Sequence, residues 1–274
     1  MVWILCFPVV LFILYQSIAA PEQFAQAYYA LNLPLFQFIN GQALGPEWLW
    51  QSITFMGDGL PVFVLLIFFS RKNAQVLWIG LIAALITGAG VHLGKPLFDL
   101  LRPAAILSGD QIVVIGQTLK RNSFPSGHSA TAFVLAGVLM AFMPRGFRWP
   151  LLLGASLIAW SRVKVGAHWP VDVIAGSLLG WYAAKAACVI ANRFSVVGHS
   201  RKGELLLYGL ASLCALTLWT HTGGYPLASS LRHALALMSC VFLLIIFVER
   251  VLGKELQLIP DQWHKMSKRL LSER

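Results

Sequence analysis

Apolar stretches of about 20 residues, separated by short polar loops, recur along this chain and constrain its fold more than any other feature. A stretch of that length can cross the hydrocarbon core of a bilayer as one α-helix. We predict about eight such spans, at residues 3–20, 50–70, 74–94, 126–143, 149–160, 170–192, 204–220 and 233–252. The second span is interrupted by the sequence GDG at residues 57–59. The predicted fold class is therefore all-α, a polytopic bundle of membrane helices.

The composition of the chain also favours a membrane protein over a soluble one. Of its 274 residues, 58% are hydrophobic and 12% are charged, whereas a typical soluble domain carries about 25% charged residues. The net charge of +10 fits a membrane protein, because cytoplasmic loops are rich in Lys and Arg. No basic segment interleaved with aromatic residues is present, so we expect no nucleic-acid partner. The four cysteines fall in apolar runs without metal-ligand spacing, and we expect them to be packing residues.

The basic residues are distributed unevenly between the two sets of loops. One set, together with the C-terminal tail, holds most of the Lys and Arg, whereas the loop at residues 21–47 holds none. We therefore predict cytoplasmic N and C termini, with the loops at residues 95–125 and 161–169 facing the periplasm or exterior. The first span also resembles a cleaved secretory signal, but no Lys or Arg precedes its apolar region, so we favour a retained helix.

The domain organisation follows from these spans. We predict a membrane core at residues 1–192, in which residues 21–49 are a polar, aromatic-rich segment lying along the membrane interface. Two additional transmembrane helices follow at residues 193–252. Residues 253–274 form a basic, amphipathic tail that would rest on anionic lipid at the cytoplasmic face, or would otherwise be a frayed, solvated end.

Three polar stretches fall at the outward ends of predicted spans, and the first is KPLFDLLRP at residues 95–103. Lys95 and Arg102 are seven residues apart, so a continuous helix would place them on one face, two turns apart. The alternative interpretation is two interfacial cations that extend to lipid headgroups.

The second stretch, SFPSGHSATA, opens an apolar run at residues 123–132. It places Ser126, Gly127 and His128 in the first turn of a predicted helix. The unpaired N–H groups and partial positive charge of a helix N-terminus suit an anion such as phosphate. Gly127 would let a ligand approach the backbone, and Ser126 could cap the turn or bind a phosphate oxygen. The alternative is an ordinary helix start with a capping serine.

The third stretch, SRVKVGAHWPVD at residues 161–172, contains Arg162, His168 and Asp172. A histidine four residues before an aspartate can donate one ring N–H to the carboxylate. The other ring nitrogen is then left as a base or nucleophile. The alternative is a structural ion pair. Because the three stretches share one predicted side, their cations and the helix N-terminus would form a site for a multiply charged tetrahedral anion.

Together these stretches resemble the three-part signature of the type 2 phosphatidic acid phosphatase family of integral membrane lipid phosphatases. The family pattern is Lys, six residues, Arg-Pro; then Pro-Ser-Gly-His; then Ser-Arg, five residues, His, three residues, Asp. Every position of that pattern is matched here, in the same order. The resemblance covers roughly residues 33–192. It implies a six-helix phosphatase core, beyond which the last two spans and the tail extend.

The resemblance also implies site residues and a reaction that needs neither a metal nor another cofactor. The implied catalytic residues are a nucleophile, His168, an orienting carboxylate, Asp172, and a proton donor to the leaving group, His128. The residues implied to hold the phosphate oxygens are Lys95, Arg102, Ser126, the Gly127 amide and Arg162. The reaction would pass through a phosphohistidine intermediate.

The sequence therefore predicts a phosphatase that hydrolyses a lipid phosphomonoester or diphosphate at the outer leaflet of a bacterial plasma membrane. Its expected partners are the phosphorylated lipid substrate and the bilayer itself. Two other functions stay open at this stage. One is a phosphotransferase that passes the phosphoryl group to another lipid or sugar hydroxyl, and the other is a non-enzymatic lipid carrier. The sequence identifies neither the particular lipid nor the oligomeric state.

Overall fold

The computed structural model describes residues 16–249, and this part of the chain contains α-helices and short 3-10 turns but no β-strand. The all-α prediction is therefore confirmed for these residues. We number the helices of nine or more residues as α1 (Pro21–Asn40), α2 (Glu47–Phe55), α3 (Gly59–Ser70), α4 (Gln75–Phe98), α5 (Gly127–Phe142), α6 (Arg148–Lys164), α7 (Pro170–Arg193), α8 (Arg201–Thr217) and α9 (Pro226–Glu249).

Within the described residues, three segments are long and apolar enough to cross a membrane. They are Gln75–Ile106, Pro170–Arg193 and Pro226–Glu249. The bent pair formed by α2 and α3 qualifies as a fourth if it is counted as one span. The remaining predicted spans are shorter or more charged here, and α5 has 16 residues and is about 24 Å long. The total of eight spans stays a prediction. The tail at residues 253–274 and nearly all of the predicted span at residues 3–20 lie outside the described residues.

The predicted span at residues 50–70 is two helices, α2 and α3, that meet at 66°. The break follows from the GDG sequence, because the Asp58 side chain caps α3 by accepting a hydrogen bond from the Leu60 N–H at 3.0 Å. Gly57 sits directly against α5, where an added Cβ would lie 3.1 Å from the His128 Cβ. The interruption that the sequence indicated is thus a sharp bend, and it brings the end of α2 to the start of α5.

Helix α4 ends before Arg102, so Lys95 and Arg102 do not share one helix face. Asp99 adopts a left-handed conformation with φ 38°, and its N–H bonds the Lys95 carbonyl oxygen at 3.0 Å. The chain then turns into an extended segment in which Arg102 has φ −80° and ψ 161°. The predicted helical register was wrong because the turn at Asp99 intervenes.

Helices α5 and α7 pack closely because α7 presents glycine where the two backbones meet. A methyl group at Gly176 would overlap the Ser126 carbonyl oxygen, and one at Gly180 would overlap the Ala130 carbonyl oxygen. Small residues four positions apart let membrane helices approach in this way. As a result, the N-terminal turns of α5 and α7 lie side by side, and the Ser126 N–H donates to the Asp172 carbonyl oxygen at 3.0 Å.

Residues 21–40, predicted to be interfacial pieces, form the single helix α1. Its buried residues recur every four positions and are Tyr28, Asn32, Phe36 and Asn40. This face packs on α6 and α7, and Asn32 accepts a hydrogen bond from the Val171 N–H at 2.9 Å. The depth of α1 in the bilayer stays a prediction, but its inner face reaches the first turn of α7.

The C-terminal pair, α8 and α9, shares the apolar core of the earlier helices. Buried residues of both helices lie in one continuous cluster with residues of α3, α4, α5 and α7. The Tyr208 hydroxyl donates to the Ser70 carbonyl oxygen at 2.8 Å, which joins α8 to the end of α3. The chain between α8 and α9 returns toward α2 and the start of α5.

Candidate active site

A buried carboxylate, Asp172 in the first turn of α7, is surrounded by four hydrogen-bond donors from three parts of the chain. Its Oδ2 atom accepts from the Ser123 hydroxyl at 2.5 Å, the Trp169 N–H at 2.9 Å and His168 Nδ1 at 3.1 Å. Its Oδ1 atom accepts from the Tyr28 hydroxyl of α1. Burying a carboxylate is costly unless it is hydrogen-bonded, and these donors provide that compensation.

The hydrogen bonds of His168 define its tautomer. Nδ1 faces the Asp172 carboxylate, which only accepts when it is ionised, so Nδ1 carries the proton. Nε2 lies 3.2 Å from Nη1 of Arg102, and a guanidinium can only donate. Nε2 therefore holds an unprotonated lone pair, which is the form a nucleophile needs.

The surroundings of His168 keep its ring neutral. The residue is 2% exposed, between α6 and α7. Burial, followed by the positive charges of Arg102, Arg162 and Lys95, lowers the pKa of His168 well below its usual range. Lys95 is half-buried near the end of α4. Its positive charge still contributes to the lowered pKa of His168, although the turn at Asp99 separates Lys95 from Arg102. The imidazole is thus neutral at pH 7, with its one proton on Nδ1.

Arg102 is fixed in place by backbone carbonyl oxygens. Its Nη1 donates to Ala167 at 3.0 Å, its Nε to Arg121 at 2.8 Å and its Nη2 to Asn122 at 3.3 Å. The Arg102 N–H also donates to the Lys120 carbonyl oxygen at 2.9 Å. The segment before Ser123 therefore holds the guanidinium beside Nε2 of His168.

Arg162, at the end of α6, is the second buried guanidinium and is 1% exposed. Its Nη1 donates to the Thr54 hydroxyl of α2 at 2.5 Å and to the Tyr225 hydroxyl. Its Nε is buried with no hydrogen-bond partner among the described residues. Its carbonyl oxygen accepts from the backbone N–H of His168 at 3.1 Å. An unpaired, buried donor of this kind indicates a missing acceptor.

His128, in the first turn of α5, has a buried Nε2 without a partner in the described part of the chain. It is joined to the cluster through Tyr225, whose ring it contacts and whose hydroxyl accepts from Arg162. Its ring meets the edge of the Tyr225 ring at a centroid distance of 6.3 Å. The two imidazoles thus share one site, and an unpaired nitrogen of His128 is available to a ligand.

The start of α5 leaves space beside the backbone. Ser126 is the N-cap, and its hydroxyl accepts from the Ser129 N–H at 3.4 Å and the Ser129 hydroxyl at 2.9 Å. An added Cβ at Gly127 would meet only Val91, at 3.7 Å. A ligand can therefore approach the first N–H groups of the helix, where negative charge is favoured.

All eight residues that the sequence singled out lie at the junction of α4, α5, α6 and α7 or in the turns beside it. Their roles in binding and catalysis stay predictions. Four residues that hydrogen-bond to this cluster were missed: Tyr28, Thr54, Ser123 and Tyr225. Ser123 stands just before the PSGH sequence, but the other three lie far away along the chain and follow no recognisable spacing.

The chemistry of the cluster suits an anion. Within residues 16–249, no three His, Cys, Asp or Glu side chains are grouped so that they could hold a metal ion. The ligand-facing groups are two guanidinium ions, one ammonium group, a helix N-terminus and two imidazoles. This set can hold a tetrahedral dianion while an imidazole nitrogen attacks its centre.

Comparison with known proteins gives consistent matches. Residues 62–195 match the model of the PAP2 superfamily. An undecaprenyl-diphosphatase of Sulfolobus acidocaldarius is 30% identical over 196 residues, which are 65% of this chain and 85% of that protein. A lipid A 1-phosphatase of Rhizobium johnstonii is 41% identical over 71 residues, 26% of this chain and 29% of that protein. The crystal structure of Aquifex aeolicus LpxE, 30% identical, superposes with a TM-score of 0.51 and covers 58% of this chain and 94% of that one.

Proposed function

The chain belongs to the PAP2 superfamily and is a membrane lipid phosphatase, and we propose that it cleaves a lipid phosphate through a phosphohistidine formed on His168. The single observation that carries this proposal is the hydrogen-bonded state of His168. Its Nδ1 proton is directed to Asp172, and its Nε2 lone pair lies among buried cations. This arrangement supports nucleophilic attack by Nε2.

In the first step, Nε2 of His168 attacks phosphorus opposite the leaving oxygen. The substrate phosphate takes over the N–H of Arg102 that now points at Nε2, which frees the lone pair. The new P–N bond forms as the P–O bond to the lipid breaks, and His128, which is protonated when the phosphate dianion is bound, donates its proton to the departing oxygen. The ring of His168 becomes a cation, which the Asp172 carboxylate stabilises.

In the second step, water releases the phosphate. His128, now unprotonated, accepts a proton from the attacking water as the P–O bond forms and the P–N bond breaks. The nonbridging oxygens remain held by guanidinium and ammonium groups and by the Gly127 amide, so the charge that develops in each transition state is stabilised by groups already in place. Inorganic phosphate leaves, and His168 returns to its neutral form.

We propose a polyprenyl diphosphate as the first substrate to test, because the relative matched over 85% of its length is named an undecaprenyl-diphosphatase. Other phosphorylated lipids, including lipid A, belong to the same test. The proposed orientation has cytoplasmic termini and a site facing the periplasm or exterior. It rests on the distribution of Lys and Arg among the loops.

Purified protein in detergent is expected to release phosphate from undecaprenyl diphosphate in the presence of EDTA, and orthovanadate is expected to inhibit the reaction. A panel with lipid A, phosphatidate and phosphatidylglycerol phosphate would rank the substrates by kcat/KM. Product analysis would show whether phosphate reaches water or an added acceptor lipid. Activity that EDTA abolishes and Mg²⁺ restores would contradict the proposed chemistry.

A further inference from the structure

The loop between α8 and α9, residues 218–225, enters the active site although it lies beyond the part of the chain that matches the PAP2 superfamily, residues 62–195. The residue that reaches the site is Tyr225, which is 4% exposed. Its hydroxyl accepts the Nη1 hydrogen bond of Arg162, and its ring meets the ring of His128 at 77°. The C-terminal extension thus contacts two of the predicted site residues.

Contacts along its length hold this loop against the site. The Asp58 carboxylate, in the break between α2 and α3, pairs with His221 Nε2 at 3.0 Å. The Gly224 carbonyl oxygen accepts from the Gln117 N–H at 3.2 Å, and the Leu227 N–H, in the first turn of α9, donates to the Gln51 side chain at 3.0 Å. These anchors come from α2, from the break after it and from the segment before α5. The loop is therefore attached on more than one side, and the position of Tyr225 is defined.

The backbone of the loop permits this approach only with small residues. Gly224 has φ +84°, a left-handed conformation that side chains rarely adopt. On the opposite side, an added Cβ at Gly116 would lie 2.7 Å from Cδ1 of the Tyr225 ring. The ring is thus enclosed by glycine backbone on one side and by the catalytic cluster on the other.

The hydrogen bonding of Tyr225 leaves its own proton unused. Because Arg162 can only donate, the phenolic oxygen is the acceptor of their hydrogen bond. In the described part of the chain, the phenolic O–H has no acceptor of its own. The two site residues that Tyr225 contacts each carry a buried atom without a partner in the described residues, Nε of Arg162 and Nε2 of His128. A phosphoryl oxygen bound beside Tyr225 would supply the acceptor that its hydroxyl lacks.

We propose that Tyr225 is a phosphate-binding residue of the active site, supplied by the C-terminal extension. It accepts a hydrogen bond from Arg162 and donates its own to a nonbridging oxygen of the substrate phosphate. A neutral donor held in place in a dry site stabilises the transition-state charge without adding another cation. The inference rests on the proposed function, because it requires a phosphoryl group at this position.

The test compares Tyr225→Phe with Tyr208→Phe, which removes a tyrosine hydroxyl from the same C-terminal pair but far from the site. Orthovanadate affinity is measured directly by calorimetry, and kcat/KM is measured with p-nitrophenyl phosphate. We expect Tyr225→Phe to weaken vanadate binding and lower kcat/KM by about tenfold or more, with little change in Tm. Tyr208→Phe is expected to lower Tm and leave both functional values unchanged. His221→Gln, which loosens the loop without altering Tyr225, should weaken vanadate binding by a smaller factor.

Vanadate affinity and kcat/KM of Tyr225→Phe within twofold of wild type would overturn the inference. The proposed function is judged separately, by whether the wild-type protein hydrolyses lipid phosphate. A wild-type protein that binds vanadate but hydrolyses nothing would contradict the proposed function, while the binding comparison would still decide the role of Tyr225. A wild-type protein that does neither would contradict both.

Discussion

His168→Asn is expected to lower kcat for phosphate release by about 10³-fold or more, with the protein still folded. The asparagine amide can take the place of Nδ1 and donate to the Asp172 carboxylate, so the buried charge keeps a partner. It has no counterpart of Nε2, so no lone pair is available to attack phosphorus. Single-turnover and steady-state assays with p-nitrophenyl phosphate measure the loss, and a Tm in detergent close to wild type shows that the fold is retained.

The matched control is His92→Asn, which changes an exposed histidine of α4. It should keep kcat within about twofold of wild type, because His92 is exposed and none of the site contacts described above involves its side chain. His168→Asn should also keep measurable affinity for orthovanadate, because the guanidinium groups remain. A normal rate in His168→Asn would show that another group attacks phosphorus.

Gly180→Ala is expected to cause a large loss of stability, because it adds a methyl group where α5 and α7 are in backbone contact. The new methyl would overlap the Ala130 carbonyl oxygen, which belongs to the backbone of α5 and cannot rotate away. Overpacking of this kind costs about 3 kcal/mol, and the expected fall in Tm is about 5–10 °C. Separation of α5 from α7 also moves His128 relative to Asp172, and a shift of about 1 Å can cost 10²-fold in rate.

Gly154→Ala on α6 is the control for Gly180→Ala, because nothing lies within 4 Å of the position that its methyl would occupy. It should leave Tm and kcat close to wild type or raise Tm slightly, since alanine is the better helix former. Thermal unfolding in detergent and phosphate release from the same preparations provide both readouts. Equal stability of the two variants would contradict the close approach of α5 and α7.

The helical class of the fold and the contact between His168 and Asp172 could be predicted because both follow from local spacing. Long apolar runs determine the all-α architecture, and a four-residue spacing across the start of α7 places His168 beside Asp172. The start of α5 was also indicated by the sequence around Ser126. In each case the information lies within a few residues, where helix geometry is the deciding factor.

The rest of the site depends on tertiary packing and left no local signal. Tyr28 and Asp172 are 144 residues apart, and Arg162 and Tyr225 are 63 apart, so no short pattern contains either pair. Lys95 and Arg102 were placed on one helix face, whereas a left-handed turn at Asp99 ends α4 between them. The turn at Asp99 depends on the packing of the loop that ends at residue 123. The hydropathy of the sequence contains no information about that packing.

The central claim is that Nε2 of His168 becomes bonded to phosphorus, and trapping the phosphoenzyme tests it most directly. The protein, and a His128→Asn variant in which release by water should be slowed, are mixed with p-nitrophenyl phosphate, whose leaving group needs little protonation. They are then denatured in base, which preserves phosphoramidates, and digested for mass spectrometry. The account predicts an acid-labile phosphoryl group on the peptide that contains His168, more abundant in the His128→Asn variant. Phosphate on a different residue, or turnover that passes through no phosphoenzyme at all, would contradict it.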